Sequence, residues 1–213
     1  MNLYDCAILS TVRPKVPDID LIFALSSTSN KSDETLPQMR DIMKATVNTY
    51  GSSNIRYGII TFGDTVRKEL DLNRTFLNED TLKGFIDLIP KATGRPALVD
   101  ALQEAESMFM AAASDRPAAK KVLVVLTDRK SINSEDELKN KSLTFTKMKV
   151  RIIALSIGGE ANSTELEIIT ASSRDVIAVM KGDDPQKICE NVMDRIQDGK
   201  DFKTLVLASE NGF

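Results

Sequence analysis

Five consecutive residues, Val122-Leu123-Val124-Val125-Leu126, constrain this chain more than any other stretch. An unbroken, largely β-branched run of strand length has no polar side to turn toward water. It belongs in a sheet covered on both faces by helices. Ile19-Asp20-Leu21-Ile22-Phe23-Ala24-Leu25 is a second run of strand length, and Ile152 to Ile157 and Val176 to Met180 repeat the pattern, each followed by helical sequence.

Helical periodicity fills the intervals. Leu36, Met39, Met43, Val47 and Tyr50 recur at three- and four-residue spacing, with Pro37 suited to a first helical turn and Gly51 to the helix end. Asn78 to Ile89 reads as a helix stopped by Pro90, and Leu98, Leu102, Ala105 and Phe109 share one face of a helix over 98–112. Tyr57 to Phe62 and Val66 to Leu72 flank the turn Gly63-Asp64 as a hairpin. Strands separated by helices imply βαβ crossovers. The expected fold is α/β: a doubly wound, mostly parallel six-stranded sheet with one antiparallel edge strand and helices on both faces. The 213 residues suit one domain over 18–198, with an N-terminal extension at 1–17 and a C-terminal one at 199–213. Ala7 to Val12 and Phe202 to Ala208 read as short strands, either loosely attached tails or partners in a small antiparallel ribbon.

Composition shortens the list of chemistries. The chain has no histidine, which excludes Ser-His-Asp and Cys-His catalysis and histidine-bound zinc. Its two cysteines are too few for a thiolate metal site. A net charge of -3 without a basic run argues against a nucleic-acid surface, and the apolar runs are far short of a membrane span. Met1 to Pro17 lacks the pattern of a signal peptide. In doubly wound folds ligands bind beyond the carboxyl ends of the strands, where strand order reverses. The loops expected there are Ser26 to Asn30, Thr93-Gly94-Arg95-Pro96 and Thr127-Asp128-Arg129-Lys130-Ser131.

At these residues the sequence resembles the von Willebrand factor A domain, from about Asp18 to Asp198. Asp20 to Leu25 looks like that family's first strand, Arg56-Tyr57-Gly58-Ile59-Ile60-Thr61-Phe62 its second, and Lys121 to Asp128 its fourth with the following aspartate. Val150 to Gly158 and Glu165-Leu166-Glu167-Ile168-Ile169 complete the series, and the likeness is greatest to the matrilin and collagen VI branch. Many members hold Mg²⁺ in a metal-ion-dependent adhesion (MIDAS) motif, Asp-x-Ser-x-Ser plus a threonine and an aspartate from two further loops. A partner carboxylate completes that shell. Here the motif is degenerate: Ser26, Thr28 and Asn30 stand at its first three positions, Pro96 at the threonine, and Arg129 follows the surviving Asp128. One carboxylate with two hydroxyls and an amide is a poor match for a hard cation. No metal is therefore expected, and the alternative is an altered Mg²⁺ site on Ser26, Thr28, Asn30 and Asp128. In the metal-free case, Ser26 and Thr28 would bond the loop backbone, and Asp128 would pair with Arg95 or Arg129 or cap a turn.

The resemblance implies a non-enzymatic, extracellular protein-binding domain for matrix assembly or adhesion, contacting a matrix, cell-surface, collagen-like or identical partner. Ser26, Thr28, Asn30, Arg95, Asp128 and Arg129 are the candidate contact residues. An intracellular scaffold or accessory subunit is the alternative from another class, and a structural repeat unit of a fibrous protein is a further one. Extracellular members often bridge flanking cysteines, which makes Cys6 and Cys189 a candidate disulfide, although Cys189 falls inside the last expected helix. Glycosylation sequons occur at Asn30, Asn73, Asn140 and Asn162. Met108 and Met110 are expected as core fillers, and Glu135-Asp136-Glu137 as a solvated helix start.

Overall fold

The computed structural model describes residues 13–29, 31–112 and 116–198. Both expected terminal strands, and any ribbon between them, lie outside these residues. In chain order the elements are β1 (Ile19–Ser26), α1 (Ser32–Tyr50), β2 (Ile55–Phe62), β3 (Val66–Leu70), α2 (Glu79–Asp87) and α3 (Leu98–Ala112). They continue with β4 (Lys120–Thr127), α4 (Glu135–Lys147), β5 (Val150–Ile157), α5 (Ser163–Thr170), β6 (Val176–Val179) and α6 (Pro185–Gln197). The strands form one six-stranded sheet in the order β3-β2-β1-β4-β5-β6. Every neighbouring pair is parallel except β2 and β3, whose antiparallel pairing makes β3 the odd edge strand.

Side-chain alternation along the central strands explains the two helical layers. Leu21, Phe23 and Leu25 of β1 with Val122, Val124 and Leu126 of β4 pack against Met39, Met43 and Val47 of α1, Leu82 and Ile86 of α2, and Val192 and Ile196 of α6. Their sequence neighbours Ile22, Ala24, Leu123 and Val125 face the other way, onto Leu102 and Phe109 of α3, Phe145 of α4 and Leu166 of α5. A strand clothed on both faces must be apolar at successive positions, which is the run the sequence shows. Each large side chain sealed in this way contributes roughly 1.5–3 kcal/mol through removal from water.

Two expectations need correction. Helix α1 starts at Ser32, five residues before Pro37, which therefore sits in its second turn. The helix tolerates it because the bond forgone is to the carbonyl of Asp33, an exposed residue. Asp33 and Glu34 complement the positive end of the helix dipole. Met108 is buried at 3% exposure, but Met110 is 65% exposed. Two helical positions span about 200°, so both cannot face one core. The acidic start of α4 stands as expected: Ser134 and Glu137 form a reciprocal capping box.

At the amino ends of the strands a charged cluster closes the fold. Asp20 of β1 is fully buried and accepts from Arg56 Nε at 2.8 Å and Nη2 at 3.0 Å. Arg116 Nη1 adds a third contact at 3.2 Å, while its Nη2 reaches Asp18 at 3.1 Å and the carbonyl of Asn54 at 2.8 Å. The polar residue inside the β1 run is thus neutralised by two guanidiniums.

Candidate functional site

Strand order reverses between β1 and β4: from β1 the chain first moves outward to β2, and later enters β4 on the other side. Their carboxyl ends coincide, with Ser26 paired to Thr127. The loops leaving these two strands therefore diverge to opposite layers and leave a crevice, the usual place for a ligand in such sheets. The backbone N–H of Asp128 donates to the Ser26 carbonyl at 3.2 Å, which binds the two loops at their roots.

Asp128 is the hub of the crevice, 1% exposed. Its Oδ1 accepts from the backbone N–H of Thr28 at 3.0 Å and of Ser29 at 3.2 Å. Its Oδ2 accepts from Ser29 Oγ at 2.9 Å and Thr35 Oγ1 at 2.6 Å. Ser27 Oγ lies 3.1 Å from Thr35 Oγ1 and donates to the Ser32 carbonyl at 3.2 Å, joining the loop to the first turn of α1. Four donors on one carboxylate hold the β1–α1 loop as a turn capped from outside.

This arrangement corrects two expectations. Asp128 pairs with neither Arg95 nor Arg129; both arginines are exposed and no ion pair involves them among the described residues. The third possibility, the cap on a turn, is the one observed. Ser26 and Thr28 do not bond the loop backbone through their hydroxyls, since Ser26 Oγ and Thr28 Oγ1 are buried without a hydrogen-bond partner among the described residues. Asn30 lies outside the described residues. Sequence reasoning missed Ser27, Ser29 and Thr35. The two serines were visible as hydroxyls in the loop, but nothing in the chain marks that those of Ser29 and Thr35 are the ones that face Asp128, 99 and 93 residues away.

The donor set can be tested against the cation that the fold family implies. Both oxygens of Asp128 are already engaged by neutral donors, and Pro96, buried at the position of the family's threonine, has no side-chain oxygen. Only the two unpartnered hydroxyls remain. No group of three or more His, Cys, Asp or Glu side chains with metal-holding geometry occurs among the described residues. A hard divalent cation takes about six oxygens including one or two carboxylates, and these residues do not fit one as they stand.

Two further loops are fastened beside the hub. Gly63 lies against Thr93, where a Cβ would come 1.9 Å from the Thr93 oxygen, and only glycine permits this approach. The N–H of Asp64 donates to that oxygen at 2.8 Å, and Ala97 N–H donates to the Gly63 carbonyl at 2.8 Å. Ile132 N–H donates to the Pro96 carbonyl at 2.9 Å, bringing the turn that carries Arg95 against the loop that carries Arg129. Behind that loop Glu165, 5% exposed, accepts from the Ser131 N–H with both oxygens at 3.2 and 3.1 Å. Burial pushes the Glu165 carboxyl above its ordinary range, against the opposing pull of the Ser131 bonds and of Lys130. Asn162 caps α5 by accepting from Glu165 N–H at 3.1 Å; the Asn-x-x-Glu spacing was a readable signal for this residue.

The remaining candidates scatter. Asn73 is exposed in the turn after β3, and Asn140 is exposed on α4, whereas Ser142 of its sequon is buried and donates to the Ile169 carbonyl. Cys189 is buried on α6, and burial raises its thiol to about 11; Cys6 lies outside the described residues.

These features define a von Willebrand factor type A domain, and the chain belongs to that family, whose profile matches residues 20–194. Over 176 residues it is 24% identical to the collagen alpha-6(VI) chain of Homo sapiens, covering 82% of this chain and 8% of that one. Over 190 residues it is 25% identical to the collagen alpha-5(VI) chain of Mus musculus, covering 88% and 7%. It thus spans less than a tenth of these relatives. Proximal thread matrix protein 1 from the mussel byssus, with a zinc-occupied MIDAS motif, superposes with a TM-score of 0.70 at 25% identity, over 83% of this chain and 45% of that one. Manganese-loaded TRAP protein of Plasmodium vivax shares the fold at a TM-score of 0.67 and 13% identity, over 82% and 73%. The similarity thus runs to matrix proteins. No helix among the described residues is long and apolar enough to cross a membrane.

Proposed function

We propose that this chain is a non-enzymatic, extracellular protein-binding domain of matrix assembly or cell adhesion, and that it engages its partner without a metal ion. One observation carries the metal-free reading: the carboxylate left from the adhesion motif is fully engaged by four donors of its own chain. The likeness to collagen VI chains and a byssal matrix protein supports the matrix setting, and the lack of histidine supports a binding role over catalysis. Contact is assigned to the crevice face at the carboxyl ends of β1 and β4, where Arg95 and Arg129 are presented.

A second reading is favoured by the two unpartnered hydroxyls of Ser26 and Thr28, which suit an altered cation site with Asp128. Calorimetric titration with Mg²⁺ and Mn²⁺, on the wild type, Asp128→Asn and Asp128→Ala, separates the two. The metal-free reading expects no saturable heat at millimolar cation. Beads carrying the chain should also adhere to decellularised matrix equally in EDTA and in Mg²⁺. Saturable cation binding lost in both variants, with adhesion abolished by EDTA, would replace this reading by the second.

A further inference from the structure

Three glycosylation sequons fall among the described residues, and the fold treats them differently. Asn162 gives its amide oxygen to the Glu165 N–H at 3.1 Å, and its Ser163 and Thr164 already belong to α5. Asn140 and Ser142 lie within α4, where Ser142 is buried. Among the described residues, only Asn73-Arg74-Thr75 lies outside helix and strand with all three positions exposed, which is the setting an accepting sequon needs. Asn73 N–H donates to Asp71 Oδ1 at 3.1 Å, and Asn73 Oδ1 accepts from Arg56 Nη1 at 3.4 Å. Neither Asn73 Nδ2 nor the Thr75 hydroxyl makes a hydrogen bond among the described residues. The same stretch runs into the most exposed large apolar side chains described, Leu77 at 96% and Leu88 at 80%. Leu77 precedes the cap Asn78, where an apolar residue ordinarily folds back onto the fourth helical position. That position, Leu82, is buried, and Leu77 stays outside. Phe76 precedes Leu77, Phe85 lies one helical turn before Leu88, and the two half-buried rings meet at 5.9 Å between centroids. The Arg74 guanidinium carbon stands 5.2 Å from both centroids. Apolar groups gathered in this way, unlike scattered ones, mark a surface that something covers.

From this we infer that Asn73 is the acceptor of an N-linked glycan, and that the glycan covers the apolar flank at the Phe76–Phe85 pair; the inference rests on the extracellular setting proposed above. In the transfer, Asn73 Nδ2 bonds to the anomeric carbon of an oligosaccharide carried on a lipid diphosphate. The bond from that carbon to the diphosphate oxygen breaks, the diphosphate leaves on its lipid, and Nδ2 gives up one proton. Oδ1 is not consumed, so the bond from Arg56 persists. The occupant is a sugar and not a protein chain because its acceptor lies in the same turn as the patch. Arg74 separates Asn73 from Thr75 and is itself the cation held over both rings, so a group attached at Asn73 begins at the edge of the flank. A glycan is bulky and solubilising, which offsets the exposure of Leu77 and Leu88. This flank is then closed to protein partners, whose contact stays at the crevice face.

The test directs the full chain, behind an added leader peptide, through the secretory pathway of cultured animal cells. Digestion with peptide N-glycosidase in heavy-oxygen water then marks each occupied asparagine in the peptide masses, in secreted and retained protein alike. Asn73 should be marked in most molecules; Thr75→Ser should keep the mark and Thr75→Ala should lose it. An unmarked Asn73 in the wild type would overturn the inference. The cover is read by fluorescence of an anilinonaphthalene sulfonate dye. Thr75→Ala, which lacks the glycan and keeps the charge, should bind roughly twofold more dye than the wild type, and adding Leu77→Ser with Leu88→Ser should abolish the rise. No rise, or a rise that survives the serines, would overturn the cover. The bead assay on decellularised matrix keeps the two levels apart. Adhesion by a chain with bare Asn73 defeats the glycan and leaves the binding role standing; a marked Asn73 without adhesion defeats the binding role and leaves the acceptor standing.

Discussion

Asp20 and Asp128 are sealed from water at opposite ends of adjoining strands, but they are satisfied by different means. At the amino end, Asp20 meets two guanidiniums and forms a charged cluster with Arg56 and Arg116. At the carboxyl end, Asp128 meets two backbone amides and two hydroxyls, all neutral. The first arrangement exchanges charge for charge and locks a closed end of the fold. The second satisfies hydrogen bonds yet leaves the cations of the same region facing outward.

Substitutions can break this comparison. Asp20→Asn should cost the most, about 3 kcal/mol by urea unfolding, because it removes the buried carboxylate shared by two guanidiniums that are only about one-fifth exposed. Adding Arg56→Met and Arg116→Met should recover part of the loss, since the charges then leave together. Asp128→Ala should cost about 2–3 kcal/mol through donors left without an acceptor, and Asp128→Asn only about 1 kcal/mol, because an amide oxygen still serves the Thr28 and Ser29 amides. Equal costs for Asp20→Asn and Asp128→Asn would erase the distinction between charged and neutral satisfaction.

Glu165 sharpens the comparison at the same end. Its folded-state pKa is raised, so its contribution to stability is fully present below the ordinary glutamate range and is lost as pH rises through the raised value. Glu165→Gln should therefore flatten the stability profile between that range and neutrality and gain on the wild type toward neutral pH, as read by thermal melts across pH. A steeper profile in the variant would show that the carboxylate form, held by Ser131, is the stabilising one. The smallest effect is expected from Arg95→Ala and Arg129→Ala, within about 0.5 kcal/mol each, because exposed side chains without partners add little to folding. A larger loss would place these arginines in the fold instead of on the binding face.

Much of the architecture was legible from residues 122–126 and the helical spacing on either side. Helix α3 ends where its apolar face ends, at Leu98 and Ala112, and Gly63-Asp64 turns the only antiparallel pair among the described residues. The start of α1 was not legible, since no side chain caps it and Pro37 offers a false beginning. At the site, Asp128 stood out because a single carboxylate survives in a degenerate motif. Its partners did not, because Thr35 belongs to another element and only the coincident ends of β1 and β4 bring it within 2.6 Å.

Hydrophobic pattern is a local property repeated along the chain, and it alone determined that this protein would be a sheet clothed by helices. Absence is equally a property of composition: without histidine, the sequence by itself ruled out Ser-His-Asp and Cys-His catalysis and histidine-bound zinc. Which donors satisfy Asp128 and which cations find counter-ions depend on distances between loops far apart in sequence. Hydrogen bonds and ion pairs act over a few ångströms, and no spacing in the chain encodes them. Only the packed loops decided that the buried carboxylate at this end would be answered by neutral donors from a distant loop and helix.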